Sequence, residues 1–146
     1  MLQVENRLIP PEEYQRIVDV MPILCVDLVL YNSLGWYLLV LRNNEPLKGQ
    51  WWVPGGRVHK GETLVQAATR KAQEELSVDV SSLRLVGYHE YLPSTLYGNR
   101  HVVSFVFTGM VETTNVVLDS QSSALGLFAD LPTEFTIMPF GGSDAS

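Results

Sequence analysis

The segment from Pro54 to Ser77 constrains the fold more than any other: a double glycine, Gly55-Gly56, followed at once by a strongly marked helix. Thr63-Leu64-Val65-Gln66 has the spacing of a capping box, in which a threonine hydroxyl and a glutamine side chain satisfy free amides of the first turn. The spacing therefore predicts a helix over Thr63–Ser77. Residues set at helical intervals put Leu64, Val65, Ala68, Ala72 and Leu76 on one apolar stripe, with Gln66, Arg70 and Gln73 opposite. Glu75 falls at the edge of that stripe, where an unpaired carboxylate is expensive to bury. It either pairs with a cation, leans out to water, or serves as a metal ligand or catalytic carboxylate. Gly55-Gly56 reads as a tight turn that lets the backbone approach a ligand closely. A glycine-rich turn beside carboxylates suits a divalent cation and a phosphate.

Around this segment, Pro10 to Val20 reads as a short helix with proline and acids at its start. Strands are expected at Ile23–Tyr31, Trp36–Arg42, Trp51–Val53, Leu83–Tyr91 and His101–Val111. Asn32-Ser33-Leu34-Gly35 reads as a turn, and Glu112–Ser123 as a polar connector. Ala124–Leu131 stays open between strand and loop. The expected fold class is α/β (α+β): a mixed sheet sandwiched between helices. The 146 residues make one domain, residues 1–146, with residues 1–20 as a helical arm and residues 141–146 as a frayed tail.

Ten Lys+Arg against sixteen Asp+Glu give a net charge of −6. That balance speaks against a nucleic-acid binder, which needs a basic face, but not against a nucleotide as a small ligand. The longest apolar stretch, Met21–Tyr31, is broken by Asp27 and too short to cross a bilayer. With a single cysteine, Cys25, and no early apolar run, the expectation is a cytoplasmic protein without a membrane partner.

Gly56, Glu62, Arg70, Glu74, Glu75 and Val78 fall in register with the pattern G-x5-E-x7-R-E-U-x-E-E-x-G-U, where U is aliphatic. The segment thus resembles the Nudix box, six fixed positions matching over twenty-three residues. Lys71 stands where the pattern has glutamate, Ser77 where it has glycine, and the small Ala72 fills the aliphatic position. The first half of the chain is also similar to the GDP-mannose mannosyl hydrolases. That likeness rests on Asp27, Asn32-Ser33-x-Gly35, Leu41-Arg42, the run Pro46 to Val58, and Lys60-x-Glu62-Thr63-Leu64. It fades after Val80.

The resemblance implies the Nudix fold and a Mg2+-dependent hydrolase, with Mn2+ as a substitute metal, acting on a nucleoside diphosphate derivative. A GDP-sugar cleaved at its sugar C–O bond is the leading substrate. Pyrophosphate (P–O) cleavage of a nucleotide is the alternative, and a nucleotide-binding module that does not turn over is a third. The metal ligands it implies are Gly55, Glu75 and Gln121, with Glu74 either a further ligand or part of the solvated face. Arg42 and Arg57 correspond to arginines on the diphosphate, where they bind substrate and stabilise the leaving group; a guanidinium fork suits phosphate. Arg70 corresponds to an arginine that orients a box carboxylate. Asp27 is either paired or in contact with substrate. The late-loop histidine of that subgroup is missing, because Gln121 is followed by Ser122. His101 is the candidate replacement, against the plain reading of a structural strand histidine; His89 and Glu90 remain unassigned. A homodimer is implied by analogy.

Overall fold

The computed structural model describes residues 9–80 and 82–141. The expected frayed tail, apart from Gly141, and the first eight residues of the arm lie outside them. Among the described residues there are two α-helices, a short 3-10 turn at Thr113–Asn115 and a sheet of eight strands: α1 (Pro11–Val20), β1 (Ile23–Tyr31), β2 (Tyr37–Arg42), β3 (Trp51–Trp52), β4 (Gly55–Arg57), α2 (Leu64–Leu76), β5 (Arg84–Tyr91), β6 (Val102–Met110), β7 (Ser122–Phe128) and β8 (Met138–Pro139). The strand path is β3-β2-β1-β6-β5-β8, with β4 also on β1 and β7 also on β2. Among the described strands only β1 and β6 run parallel, paired from Ile23–Val102 to Tyr31–Met110. The mixed α+β architecture expected from the sequence is the one observed.

β1 is the axis of the molecule. Its side chains alternate between two cores. Val26, Leu28 and Leu30 face a core shared with Ala67, Ala68, Ala72 and Leu76 of α2. Val29 faces an aromatic core containing Trp52, Tyr91, Tyr97 and Phe135. Burial on both faces explains why β1 reads as a nearly continuous apolar run rather than an alternating one. Asp27 is the exception, and it lies on the aromatic side, where its hydroxyl partner is found.

The helix start is as the sequence specifies. Thr63 Oγ1 accepts from the Gln66 amide at 3.1 Å, and Gln66 Oε1 accepts from the Thr63 amide at 2.8 Å. Ser77 closes α2 in the left-handed region at φ 56°. The buried face differs by one position. Val65 is exposed, and Ala67 and Glu75 are buried with Ala68, Ala72 and Leu76. Ala67, Ala68 and Ala72 on that face pack in one core with Val26, Leu28 and Leu30 of β1, whereas Val65 faces outward.

One further expectation changes, and two segments gain an assignment. Gly55-Gly56 is no turn: both glycines belong to β4, antiparallel to β1, and neither has a left-handed φ. At Gly55 glycine is required by crowding against the β1 backbone. A Cβ on Gly55 would collide with Asp27 Oδ1 and the Val26 carbonyl, and one on Gly56 would lie 2.6 Å from Lys71 Cε. The ambiguous segment around Ala124 is strand β7, paired along the whole of β2. The two-residue strand β8 carries no local signal. Among the described residues, no helix is long and apolar enough to cross a membrane.

Candidate functional site

β1 parts from β2 after a single paired position, Tyr31–Tyr37, and pairs through Cys25–Asp27 with β4 instead. A pocket of about 400 Å³ lies at this divergence. The start of β1 gives it Cys25 and Asp27, the end of β2 gives Arg42, and β4 gives Gly55–Arg57. Helix α2 adds Lys71 and Glu75, and loops add Arg100 and Gln121. Of the sequence candidates, Asp27, Arg42, Gly55, Arg57, Glu75 and Gln121 meet here. His101 and Glu74 do not line it. The His101 carbonyl accepts from the Ile23 amide, holding the start of β1. Its ring does not line the pocket, and its Nε2 is buried with no hydrogen-bond partner among the described residues. Glu74 is half-exposed on the outer face of α2, bonded to Arg70 Nη1 at 3.0 Å. Ser122, which replaces the expected histidine, is buried and also outside the lining.

The carboxylates have distinct surroundings. Asp27 is buried, and its Oδ2 accepts from the Tyr91 hydroxyl at 2.7 Å. That hydroxyl accepts in turn from Trp52 Nε1 at 3.0 Å. Burial pushes the Asp27 carboxyl up to about 6, although the Tyr91 bond and the Arg42 charge pull the other way. Glu75 is buried too; its Oε2 accepts from the Gly55 amide at 3.0 Å and its Oε1 lies 3.5 Å from Lys71 Nζ. Burial raises it to about 7, with Lys71 opposing. Glu62 is the framing carboxylate. Arg70 grips it with Nε at 2.6 Å and Nη2 at 3.0 Å, and the same Nη2 donates to the Arg57 carbonyl at 2.9 Å. This clamp ties the loop before α2 to the end of β4 and so fixes the backbone that carries Arg57.

The cations set the character of the pocket. Arg42, Arg57, Lys71 and Arg100 all line it, four of the ten Lys+Arg in an acidic chain. Arg42 is steadied by Nε donating to the Pro46 carbonyl at 2.9 Å. Arg57 lies over the Tyr14 ring at 5.8 Å, so the N-terminal helix forms part of the wall. Such a convergence suits a ligand with two or more phosphate charges. Sequence reading missed Arg100, Tyr91, Trp52 and Tyr14. None has a local signal: each enters the site only through strand pairing or helix packing.

The Mg2+ or Mn2+ implied by the resemblance meets an unsuitable donor set. Both Glu75 oxygens already face protein cationic or amide donors. Gln121 Oε1 accepts from Asn44 Nδ2 at 2.8 Å, and Glu74 is held by Arg70. The implied set of Gly55 carbonyl, Glu75 and Gln121 brings a single carboxylate to the pocket, and among the described residues no three His, Cys, Asp or Glu side chains are grouped to hold a metal. The Lys71 ammonium sits where a cation would be needed. Two unit charges about 4 Å apart interact by about 4 kcal/mol near a protein surface, and a dication beside an ammonium by about double. The residues present therefore do not fit a divalent metal.

The family model described as NUDIX domain matches residues 21–129. The chain is 40% identical over 124 residues to the low-salt glycan biosynthesis protein Agl8 of Haloferax volcanii, covering 82% of this chain and 79% of that protein. It is 37% identical over 86 residues to an ADP-ribose pyrophosphatase of Methanocaldococcus jannaschii, covering 59% of this chain and 49% of that relative, so it spans about half that protein's length. The crystal structure of a MutT NUDIX hydrolase from Burkholderia pseudomallei superposes with a TM-score of 0.68 at 26% identity, covering 80% of this chain and 91% of the other.

Proposed function

The chain belongs to the NUDIX domain family, and from that premise we propose that it hydrolyses a nucleoside diphosphate sugar, a GDP-sugar first, at the sugar C–O bond. The observation that carries this reading is the convergence of Arg42, Arg57, Lys71 and Arg100 on one pocket that also holds a buried carboxylate of near-neutral pKa, Asp27. The anomeric carbon is uncharged, so water can attack it without a metal to screen phosphate charge. The electrons of the breaking C–O bond pass to the diphosphate, and the cations stabilise that departing anion. Asp27 takes the proton of the attacking water. Its pKa near 6 leaves it ionised at neutral pH yet basic enough to act. Tyr91 holds one of its oxygens and thereby orients the other. The products are the free sugar and a nucleoside diphosphate. A cytoplasmic setting and a homodimer belong to the same proposal.

A second reading, P–O cleavage, is favoured by the likeness to a relative described as a pyrophosphatase. Incubation of the protein with GDP-, ADP- and UDP-sugars in ¹⁸O-water, with Mg2+ and with EDTA, separates the two. C–O cleavage yields nucleoside diphosphate and ¹⁸O-labelled sugar. P–O cleavage yields nucleoside monophosphate and sugar phosphate. Binding without product overturns the enzyme reading in favour of a binding module.

A further inference from the structure

We propose that the Lys71 ammonium is this protein's built-in cation for the diphosphate, contacting phosphate oxygens directly in place of a divalent metal. The inference rests on the reading of the pocket as a diphosphate site. Its observations are separate. Lys71 replaces the central glutamate of the box, and its side chain is 12% exposed. Its stem runs over Gly56, where a Cβ would lie 2.6 Å from Lys71 Cε, and the side chain lines the pocket. The ammonium stands 3.5 Å from both Glu74 Oε1 and Glu75 Oε1. Charge-assisted bonds normally close to about 2.7–2.9 Å. Glu74 already has the shorter bond to Arg70 Nη1, at 3.0 Å.

Lys71 is thus pre-positioned by its stem while its three donors remain only loosely engaged, as a group awaiting an anion requires. Glu75 aims the ammonium, since the carboxylate is itself fixed by the Gly55 amide and its Oε1 stands 3.5 Å from Lys71 Nζ. With Arg42, Arg57 and Arg100 on the other walls, a diphosphate entering the pocket meets fixed cations and needs no bound metal to neutralise it.

Two measurements test this: calorimetric binding of GDP in EDTA and in Mg2+, and Mn2+ binding in the absence of nucleotide, followed by electron paramagnetic resonance. The wild type should bind GDP equally in EDTA and Mg2+, and bind Mn2+ poorly. Lys71→Met keeps the stem over Gly56 but removes the charge, and should weaken GDP binding in EDTA by about tenfold or more. Lys71→Glu should gain Mn2+ affinity and make GDP binding metal-dependent; circular dichroism establishes that each variant is folded. Wild-type Mn2+ affinity equal to that of Lys71→Glu, or GDP affinity unchanged in Lys71→Met, overturns the proposal. GDP binding that requires Mg2+ in the wild type overturns the role of Lys71 and leaves the diphosphate pocket standing. Absence of GDP binding under both conditions overturns both.

Discussion

Asp27→Asn should make the protein more stable and far less active, and the two effects share one cause. In the folded chain the Asp27 carboxyl is raised from 3.8 to about 6 because it is buried. Between those values the folded state binds more protons than the unfolded state, so stability falls as pH rises through that window. The full penalty is present at pH 7, and a shift of about two units corresponds to about 3 kcal/mol. Asparagine has nearly the same shape and can still accept from the Tyr91 hydroxyl, so it removes the charge while retaining the bond. Urea unfolding at pH 7 should show a gain approaching 3 kcal/mol that shrinks steadily as the pH is lowered to 4 and has largely gone below it. Turnover of a GDP-sugar should drop by about 10²–10⁴-fold, the usual contribution of a positioned base. A stability difference that does not change with pH would refute the linkage. A stabilised variant that retains wild-type kcat/KM would refute the catalytic role alone.

Three other outcomes follow from the same geometry. Tyr91→Phe removes the 2.7 Å donor to Asp27, worth about 1.5–3 kcal/mol to the charged form, so the acidic limb of kcat/KM should move up by about one to two pH units from near 6. Activity lost at pH 7 should then recover by pH 9, and a limb that stays in place would show that Asp27 does not govern it. Arg57→Ala should lower kcat/KM by about 2–4 kcal/mol through lost leaving-group stabilisation, read from initial rates on a GDP-sugar. Rates within twofold of the parent would take Arg57 out of the site. Gly55→Ala should destabilise the fold by about 1–3 kcal/mol, because the new methyl group meets Asp27 and the β1 backbone; an unchanged urea midpoint would show that β4 can yield.

The sequence alone was enough wherever the controlling interaction is local. The Thr63–Gln66 cap lies within one turn, so the start of α2 could be located, and the apolar run Ile23–Tyr31 coincides with β1 because burial on both faces imposes that composition. The box register also led to Arg70 as the arginine that orients a box carboxylate, and it holds Glu62. Tertiary structure decided what these residues do there. It turned α2 so that Ala67 rather than Val65 is buried, and it made Gly55-Gly56 a strand pressed against Asp27 and Lys71 instead of a turn. It left His101 and Glu74 outside the pocket and brought in Arg100 and Tyr91. The Asp27–Tyr91 bond joins residues 64 positions apart. No periodicity or spacing encodes such a pair, because it exists only where β5 reaches the aromatic face of β1 across β6. The shifted pKa of Asp27 has the same origin: desolvation depends on everything packed around a carboxylate, whereas a sequence motif specifies only its neighbours along the chain.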